Sequence, residues 1–325
     1  MKFAKIVVTV LMLCTMPFSA GAFSTESVRE ALETMKFELQ EKGMLSDQVS
    51  ATSYYDEGND GSSETTAYII DSISDLQLLV LRTGYGTEPS GKYYRLDTDL
   101  DISGISSWVP IGVDMDNPFT GHFDGNSKTI NIKSTTGAPI FGAIKTSGVA
   151  LKNLNVTGSV SGEIGSGIVL WLEAGIVQDC VFKGTIKVSD SSASHLGAGG
   201  IVEVQEGGTV KNCSVLSGSS ISVSSGSISY VGGIVGGMTG GNVTNCTANA
   251  TLSGTYKGGI VGAATQSVVS NISGNSYTGA NKEIGYTQSS SSNSSGGSSS
   301  GGGGCNAGFS ILGLLISTAA LKLKK

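Results

Sequence analysis

A short motif that recurs five times between residues 148 and 275 constrains the fold more than any other feature of this chain. Each copy has an Asn or Asp anchor, with apolar or small residues two positions before it and one and three positions after it. The anchors are Asn153, Asp179, Asn212, Asn245 and Asn271, spaced 26 or 33 residues apart. A unit of this length cannot bury its apolar face alone, so neighbouring copies must stack on one another.

The phase of the motif predicts a corner of the chain at each anchor. Strand alternation slips by one residue there, and Asn and Asp tolerate the left-handed backbone that a corner requires. Eleven residues before the last four anchors, an Ile stands between Gly and Val: Ile168, Ile201, Ile234 and Ile260. The sequence therefore predicts an all-β fold, a parallel β-helix solenoid, preceded by one amphipathic helix at residues 24–43.

Three cysteines directly follow anchors: Cys180, Cys213 and Cys246. Leu154 and Ile272 take the same position in the other copies, so we expect the thiols to point inward and to stay unpaired. Their 33-residue spacing is the repeat period and not a metal-ligand spacing, so no metal site is predicted from them.

The glycine-rich part of the repeat resembles a known family. Gly232-Gly-Ile-Val-Gly236 and Gly258-Gly-Ile-Val-Gly262 are similar to the repeat of GLUG-motif proteins, whereas residues 165–170 and 199–203 depart from it at the final Gly. The resemblance implies a bacterial surface protein. Some such proteins are adhesin-like and some are attached to proteases, and the repeat itself is non-catalytic.

Both ends of the chain have the composition of processed segments. Lys2, Lys5, an apolar run at 6–13 and a small-residue exit predict a signal peptide with cleavage after Ala22. Residues 287–304 are almost all Ser and Gly, as in a flexible tether. An apolar stretch at 309–321 and a lysine-rich end follow, which predicts a short membrane segment with a cytoplasmic stop.

Residues 304–309, Gly-Cys-Asn-Ala-Gly-Phe, resemble the Synergistes-type C-terminal sorting domain, Synerg-CTERM. The resemblance implies a bacterial source, cleavage by a sorting protease near Cys305, and a possible lipid on its thiol. Gly304, Cys305 and Asn306 are thus the expected anchoring and processing residues. The expected location is secreted, at the cell surface or outer envelope, membrane-anchored through the C-terminal tail.

These observations divide the chain into six segments. They are the signal peptide (1–22), the amphipathic helix and acidic linker (23–66), an N-terminal β-helix region (67–147), the GLUG-type repeats (148–286), the tether (287–304) and the sorting segment (305–325). Removing the five lysines of the two processed ends takes the formal net charge from −6 to −11. So acidic a body disfavours nucleic acid as a partner.

Two candidate sites stand out from the repeat. Asp97, Asp99 and Asp101 alternate with apolar residues, which predicts that they share the outer face of one strand. A solvated face is the first interpretation, a weak Ca²⁺ site the second and a catalytic carboxylate cluster the third, with no other cofactor expected. Trp171 is either a ligand contact that stacks on a sugar or a packed residue.

The sequence contains no recognisable catalytic constellation, so no enzyme is predicted. The two histidines form no zinc-protease motif, and there is no nucleophile elbow. Two expanded segments, 183–197 and 216–231, are expected to protrude on one side and to form a binding face. We therefore expect an adhesin-like or ligand-displaying module for an extracellular glycan or protein. The alternatives are a polysaccharide-active lyase or glycosidase and a non-binding structural coat.

Overall fold

A computed structural model describes residues 25–41, 59–105, 108–191, 195–225 and 228–289. The predicted signal cleavage at Ala22, part of the linker, most of the tether and the sorting residues Gly304, Cys305 and Asn306 lie outside these residues. None of the helices in the described ranges is long and apolar enough to cross a membrane.

Two helices precede or interrupt the first strands, whereas the sequence predicted one. Helix α1 (Thr25–Glu41) buries Leu32, Met35 and Leu39 against helix α2 (Ile73–Gly84). Ser72 begins α2 through a capping box with Asp75, which satisfies two free backbone donors. Helix α2 was missed because its short apolar run, at 76 and 78–81, cannot be distinguished from a buried strand by periodicity alone.

The remaining elements wind into stacked rungs, and every strand pair is parallel. The first sheet contains, in spatial order, β1 (Tyr68–Ile70), β2 (Tyr93–Leu96), β4 (His122–Asp124), β6 (Phe141–Lys152), β8 (Val169–Gln178), β11 (Val202–Gln205), β15 (Val235–Met238), β19 (Val261–Thr265) and β22 (Ile284–Gln288). Three short strands extend it alongside β8: β12 (Thr209–Lys211), β16 (Asn242–Thr244) and β20 (Ile272–Ser273).

Two further sheets close the rungs. The second contains β3 (Leu100–Asp101), β5 (Thr129–Ser134), β7 (Asn155–Gly162), β9 (Val181–Asp190), β13 (Ser214–Ser225), β17 (Thr247–Ser253) and β21 (Ser276–Thr278). The third contains β10 (His195–Gly199), β14 (Ile228–Gly232) and β18 (Tyr256–Gly258). One continuous apolar core runs between the sheets. The predicted parallel β-helix solenoid is therefore confirmed.

The anchors Asn153, Asp179, Asn212 and Asn245 lie at corners between the first and second sheets. All four have left-handed backbone, with φ between 54° and 55°. Each backbone N–H donates to a carbonyl of the following rung, as Asn212 does to Thr244 at 3.1 Å. The Nδ2 of Asn212 also donates to Oδ1 of Asp179 at 3.1 Å. The corner residue thus joins neighbouring rungs through its backbone.

The fifth predicted anchor, Asn271, is wrong. A 3₁₀-helix (Gln266–Asn271) occupies this part of the chain, and β20 begins after it. The register pairs Val243 with Ile272, which brings Gly274, with a φ of 69°, opposite Asn245. Glycine readily adopts this positive φ, and a Cβ on Gly274 would lie 2.3 Å from Oδ1 of Asn245, so the Asn245 side chain would have to move aside. Consequently Asn275, and not Ile272, follows the corner and accepts a hydrogen bond from the Cys246 N–H at 2.8 Å.

The glycine before each repeat Ile permits the rungs to stack closely. A Cβ on Gly167, Gly200 or Gly233 would lie only 2.0–2.2 Å from a backbone carbonyl oxygen of the next rung. A backbone carbonyl held in a ladder cannot move aside. The Gly-Ile-Val element of the repeat is therefore a packing requirement of the turn that leads into the first sheet.

Cys180, Cys213 and Cys246 are buried and free, one above another along the core. Burial raises the pKa of the Cys213 thiol well above its ordinary value. A hydrogen bond with Cys213, together with burial, raises the pKa of Cys246. These thiols behave as small apolar side chains in this fold.

Most residues that the structure describes in the expanded segments 183–197 and 216–231 lie in strands. Their described residues form most of β9 and β13 and parts of β10 and β14, and they bury Ile186 and Ile221. Their alternation of apolar and small polar residues is the two-residue period of a strand. The described residues of these segments lengthen β9 and β13 and contribute to β10 and β14 of the third sheet, so the expectation that they form protruding loops is wrong.

Candidate functional site

A cleft of about 420 Å³ opens on the outer face of the first sheet, at β2, β4 and β6. We call it the aromatic cleft. The side chains considered below are Glu64, Tyr93, Arg95, His122, Asp124, Ser147 and Lys152.

Strand register places these side chains together. Tyr93 pairs with His122, and Arg95 pairs with Asp124, which pairs with Lys152. The intervening residues Tyr94, Phe123 and Leu151 are buried in the core. Successive side chains of a strand point to opposite faces, so the residues that alternate with these core residues are directed outward. They form two columns: an aromatic column of Tyr93 and His122, and a charged column of Arg95, Asp124 and Lys152.

The aromatic column is a stacked pair. The Tyr93 and His122 rings have centroids 4.3 Å apart and an interplanar angle of 21°. His122 Nδ1 lies 2.7 Å from the carbonyl oxygen of Val149. A carbonyl can only accept a hydrogen bond, so Nδ1 carries the proton, and Nε2 of the neutral ring is an acceptor. The pair is partly exposed and presents an aromatic surface together with one fixed acceptor.

The charged column is internally compensated. Lys152 Nζ lies 2.8 Å from Glu64 Oε1 and 3.5 Å from Asp124 Oδ2. Partial burial disfavours the charged form of Lys152 and by itself would lower its pKa. The two carboxylate partners outweigh this effect, so the pKa of Lys152 is raised. Arg95 Nε donates to Asp97 Oδ1 at 2.8 Å, and this hydrogen bond lowers the pKa of Asp97. Each cation around the cleft therefore has at least one carboxylate partner.

The three aspartates predicted to share one strand face do not do so. Asp97 and Asp99 lie between β2 and β3, because the chain turns a corner there, and only Asp101 lies in a strand. Asp99 accepts from the Thr129 N–H at 2.7 Å, and Asp101 accepts from Ser103 and Asn131 at 3.0 Å. Among the described residues no group of three or more His, Cys, Asp or Glu side chains could hold a metal ion. The carboxylates stabilise turns and neighbouring rungs.

Trp171 is not a ligand contact. Its side chain is 2% exposed and packs with Ala143, Val204 and Met115 on the outer side of the first sheet. Its Nε1 donates to Glu206 Oε2 at 3.1 Å, and burial raises the pKa of that carboxyl. The packed interpretation is correct, because a hydrogen-bonded, covered ring has no free face for a sugar.

The sequence prediction missed the aromatic cleft. The signal that could have revealed it is the rung length upstream of the first anchor, since Tyr93 and His122 are 29 residues apart and Asp124 and Lys152 are 28 apart. These separations fall within the repeat period. Extending the repeat upstream would have aligned both columns.

No protein-family model matches the sequence. Halomucin of Haloquadratum walsbyi is 31% identical over 137 residues, which cover 37% of this chain. The matched region is about 1% of the length of that protein. A solved structure of a candidate immunoglobulin A1 protease from Bacteroides ovatus is 19% identical, with a TM-score of 0.45, and covers 72% of this chain and 87% of that one.

Proposed function

We propose that this chain is a binding module of the bacterial cell surface that holds a neutral saccharide in the aromatic cleft. The observation that carries the proposal is the partly exposed Tyr93–His122 stack, set beside a column of hydrogen-bonding charged groups. This is the adhesin-like function expected from the sequence, assigned to a different place on the molecule.

The dimensions and chemistry of the cleft suit one or two sugar rings. Its volume of about 420 Å³ lies in the range of small-molecule sites, roughly 300–1,000 Å³. A pyranose has a C–H face that packs on the negative face of an aromatic ring. Its hydroxyl groups both donate and accept, which matches the acceptors His122 Nε2 and Asp124 and the donors Lys152 and Ser147.

The balance of charge favours a neutral ligand. Lys152 is held between Glu64 and Asp124, and Arg95 is paired with Asp97. An acidic sugar would have to compete with these carboxylates for the cations. A neutral sugar can add hydrogen bonds to the paired groups without separating them.

The same contacts favour binding over turnover. A glycosidase needs two carboxyl groups on opposite sides of the bond it cleaves, one of them protonated. In the aromatic cleft Glu64 and Asp124 both contact Lys152, and Asp124 also accepts from the Asn153 Nδ2 at 3.0 Å. Both carboxylates are thus engaged as acceptors of cationic and amide donors within the protein.

The surface location is supported by two observations outside the cleft. The partial similarity to Halomucin suits a repeat protein displayed outside the cell. The composition of residues 287–325, a Ser/Gly tether followed by a cysteine, an apolar stretch and lysines, suits attachment to the envelope. We propose that a sorting protease acts near Cys305 and that the thiol carries the lasting lipid.

A glycan array probed with the purified protein tests the cleft. Tyr93→Ser should weaken binding to the neutral glycans on the array by about tenfold or more, since stacking on an aromatic ring is worth roughly 1–3 kcal/mol. Tyr93→Phe, which keeps the ring, should bind like the parent. Gln178→Ser changes the next outward residue after Lys152 in the charged column and is the matched control. If Tyr93→Ser binds every glycan as the parent does, the proposal fails.

A further inference from the structure

The geometry points to a second ligand site, for an anionic saccharide, at the other end of the rod. A cleft of about 270 Å³ lies between β18 and the turn that precedes β22. We call it the basic cleft. It is lined by Thr255, Tyr256, Lys257, Gly279, Ala280, Asn281, Lys282 and Gly285.

The two lysines set its charge. Lys257 and Lys282 are both exposed, and none of the described residues that line the cleft is acidic. Glu283, the nearest acid in sequence, accepts a hydrogen bond from Asn275 at 3.1 Å. The basic cleft thus differs from the aromatic cleft, where each cation has a carboxylate partner. In a chain with 26 acidic and 20 basic residues, two uncompensated cations in one concavity favour an anionic ligand.

A supported aromatic ring forms one wall. Tyr256 stacks on Tyr230, with ring centroids 5.5 Å apart and an interplanar angle of 13°. The ring centroid of Tyr286 lies 5.1 Å from that of Tyr256. Tyr230 is fully buried, which fixes the stack from below. Tyr256 is partly exposed in the cleft, so it offers a ring of fixed orientation to the C–H face of a sugar.

The backbone of the opposite wall is also fixed. The Gly259 N–H donates to the Lys282 carbonyl at 2.7 Å, which ties the lysine-bearing turn to the rung below. Gly279 has a φ of 83°, and a Cβ there would lie 2.0 Å from the Ala250 carbonyl oxygen. The backbone that carries Lys282 is therefore fixed before any ligand binds, which reduces the backbone entropy lost on binding.

A carboxylated or sulfated sugar matches this combination of an aromatic face and two ammonium groups. The carboxylate or sulfate would lie between Lys257 and Lys282, and the ring would pack on Tyr256. The two clefts are six rungs apart along the first sheet, from β4 to β22, or roughly 30 Å. The second site is independent of the first, so either can fail without the other.

Calorimetric titration of the full-length protein tests this site. The probes are a galacturonate tetrasaccharide, a sulfated chondroitin tetrasaccharide and neutral cellotetraose. The parent should bind at least one acidic probe, more weakly at high salt, and should bind it in preference to cellotetraose at the basic cleft. Binding of the galacturonate probe would show that a carboxylate suffices. Binding of the chondroitin probe alone, which carries sulfates beside its carboxylates, would show that the sulfate is required.

Variants locate the binding. The double change Lys257→Gln and Lys282→Gln should weaken binding of the acidic probe by about tenfold. Lys183→Gln with Lys187→Gln removes the same charge from exposed positions on β9 and should have no effect. Tyr256→Ser should weaken binding, whereas Tyr256→Phe should not. The inference is overturned if neither acidic probe binds, or if binding is unchanged in the Lys257/Lys282 variant. Tyr93→Ser should leave this binding intact, which separates it from the aromatic cleft.

Discussion

Replacing the corner residue Asn245 with Val tests why this sequence folds as a solenoid. Asn245 is exposed and has a φ of 54°, so the substitution neither removes buried surface nor adds any. A β-branched side chain at positive φ is strained, because its branches crowd the neighbouring backbone. The folded state alone bears this strain, since the unfolded chain is free to leave the left-handed region.

The expected cost is about 1–3 kcal/mol, the typical range for a residue held in an unfavoured backbone region. For a domain of this size, that corresponds to a fall in melting temperature of roughly 2–12 °C. Asn245→Gly keeps the left-handed conformation available and should lose about 1 kcal/mol or less. Glycine already takes the next corner, at Gly274.

Thermal unfolding followed by circular dichroism gives the melting temperatures of the parent, Asn245→Val and Asn245→Gly. Thr251→Val is the matched control, because it places the same side chain at an exposed position of β17 with ordinary strand backbone. Thr251→Val should have the same melting temperature as the parent. Equal melting temperatures for Asn245→Val and Asn245→Gly would show that the corner conformation does not select the anchor residue.

Three further predictions concern buried and terminal residues. Alkylation of Cys213 should be slow in the folded protein, because burial raises its pKa, and complete after denaturation; a recovered disulfide peptide would contradict the free-thiol ladder. Gly233→Ala should destabilise the fold by about 1–3 kcal/mol in urea titration, whereas Gly104→Ala, where a Cβ meets no atom, should not. Cys305→Ala should leave circular dichroism unchanged but should retain the tail or release the protein to the medium. Surface display equal to that of the parent would argue against the sorting prediction.

Much of the fold could be predicted from the sequence because each copy of the repeat needs the same corner in the backbone, so the same residue pattern recurs. The parity slip at Asn153, Asp179, Asn212 and Asn245 requires a corner, and the corner has the left-handed backbone that these residues tolerate. Asn271 misled the prediction because its neighbours imitate the motif. Only the register between β16 and β20 shows that the chain inserts a 3₁₀-helix before turning at Gly274.

The candidate site could not be predicted in the same way. The aromatic and basic clefts are built from residues on different rungs, and each column depends on which residues pair across neighbouring strands. Trp171 was attractive as an isolated aromatic residue, but its neighbours Ala143 and Val204 come from other rungs and cover it. Sequence composition identifies the residue types that bind sugars, whereas register decides which of them are exposed together.

Binding of a saccharide over Tyr93 and His122 would be reported directly by the imidazole nitrogens. The sequence has two histidines, so long-range proton–nitrogen correlation spectra of the labelled protein contain two imidazole sets, and a His122→Gln variant assigns them. In the free protein His122 should be the Nδ1–H tautomer, as its bond to the Val149 carbonyl requires. Adding a neutral glycan selected on the array should shift the His122 Nε2 resonance while His195 stays unchanged. A His122 signal that does not move at saturating glycan would contradict the account.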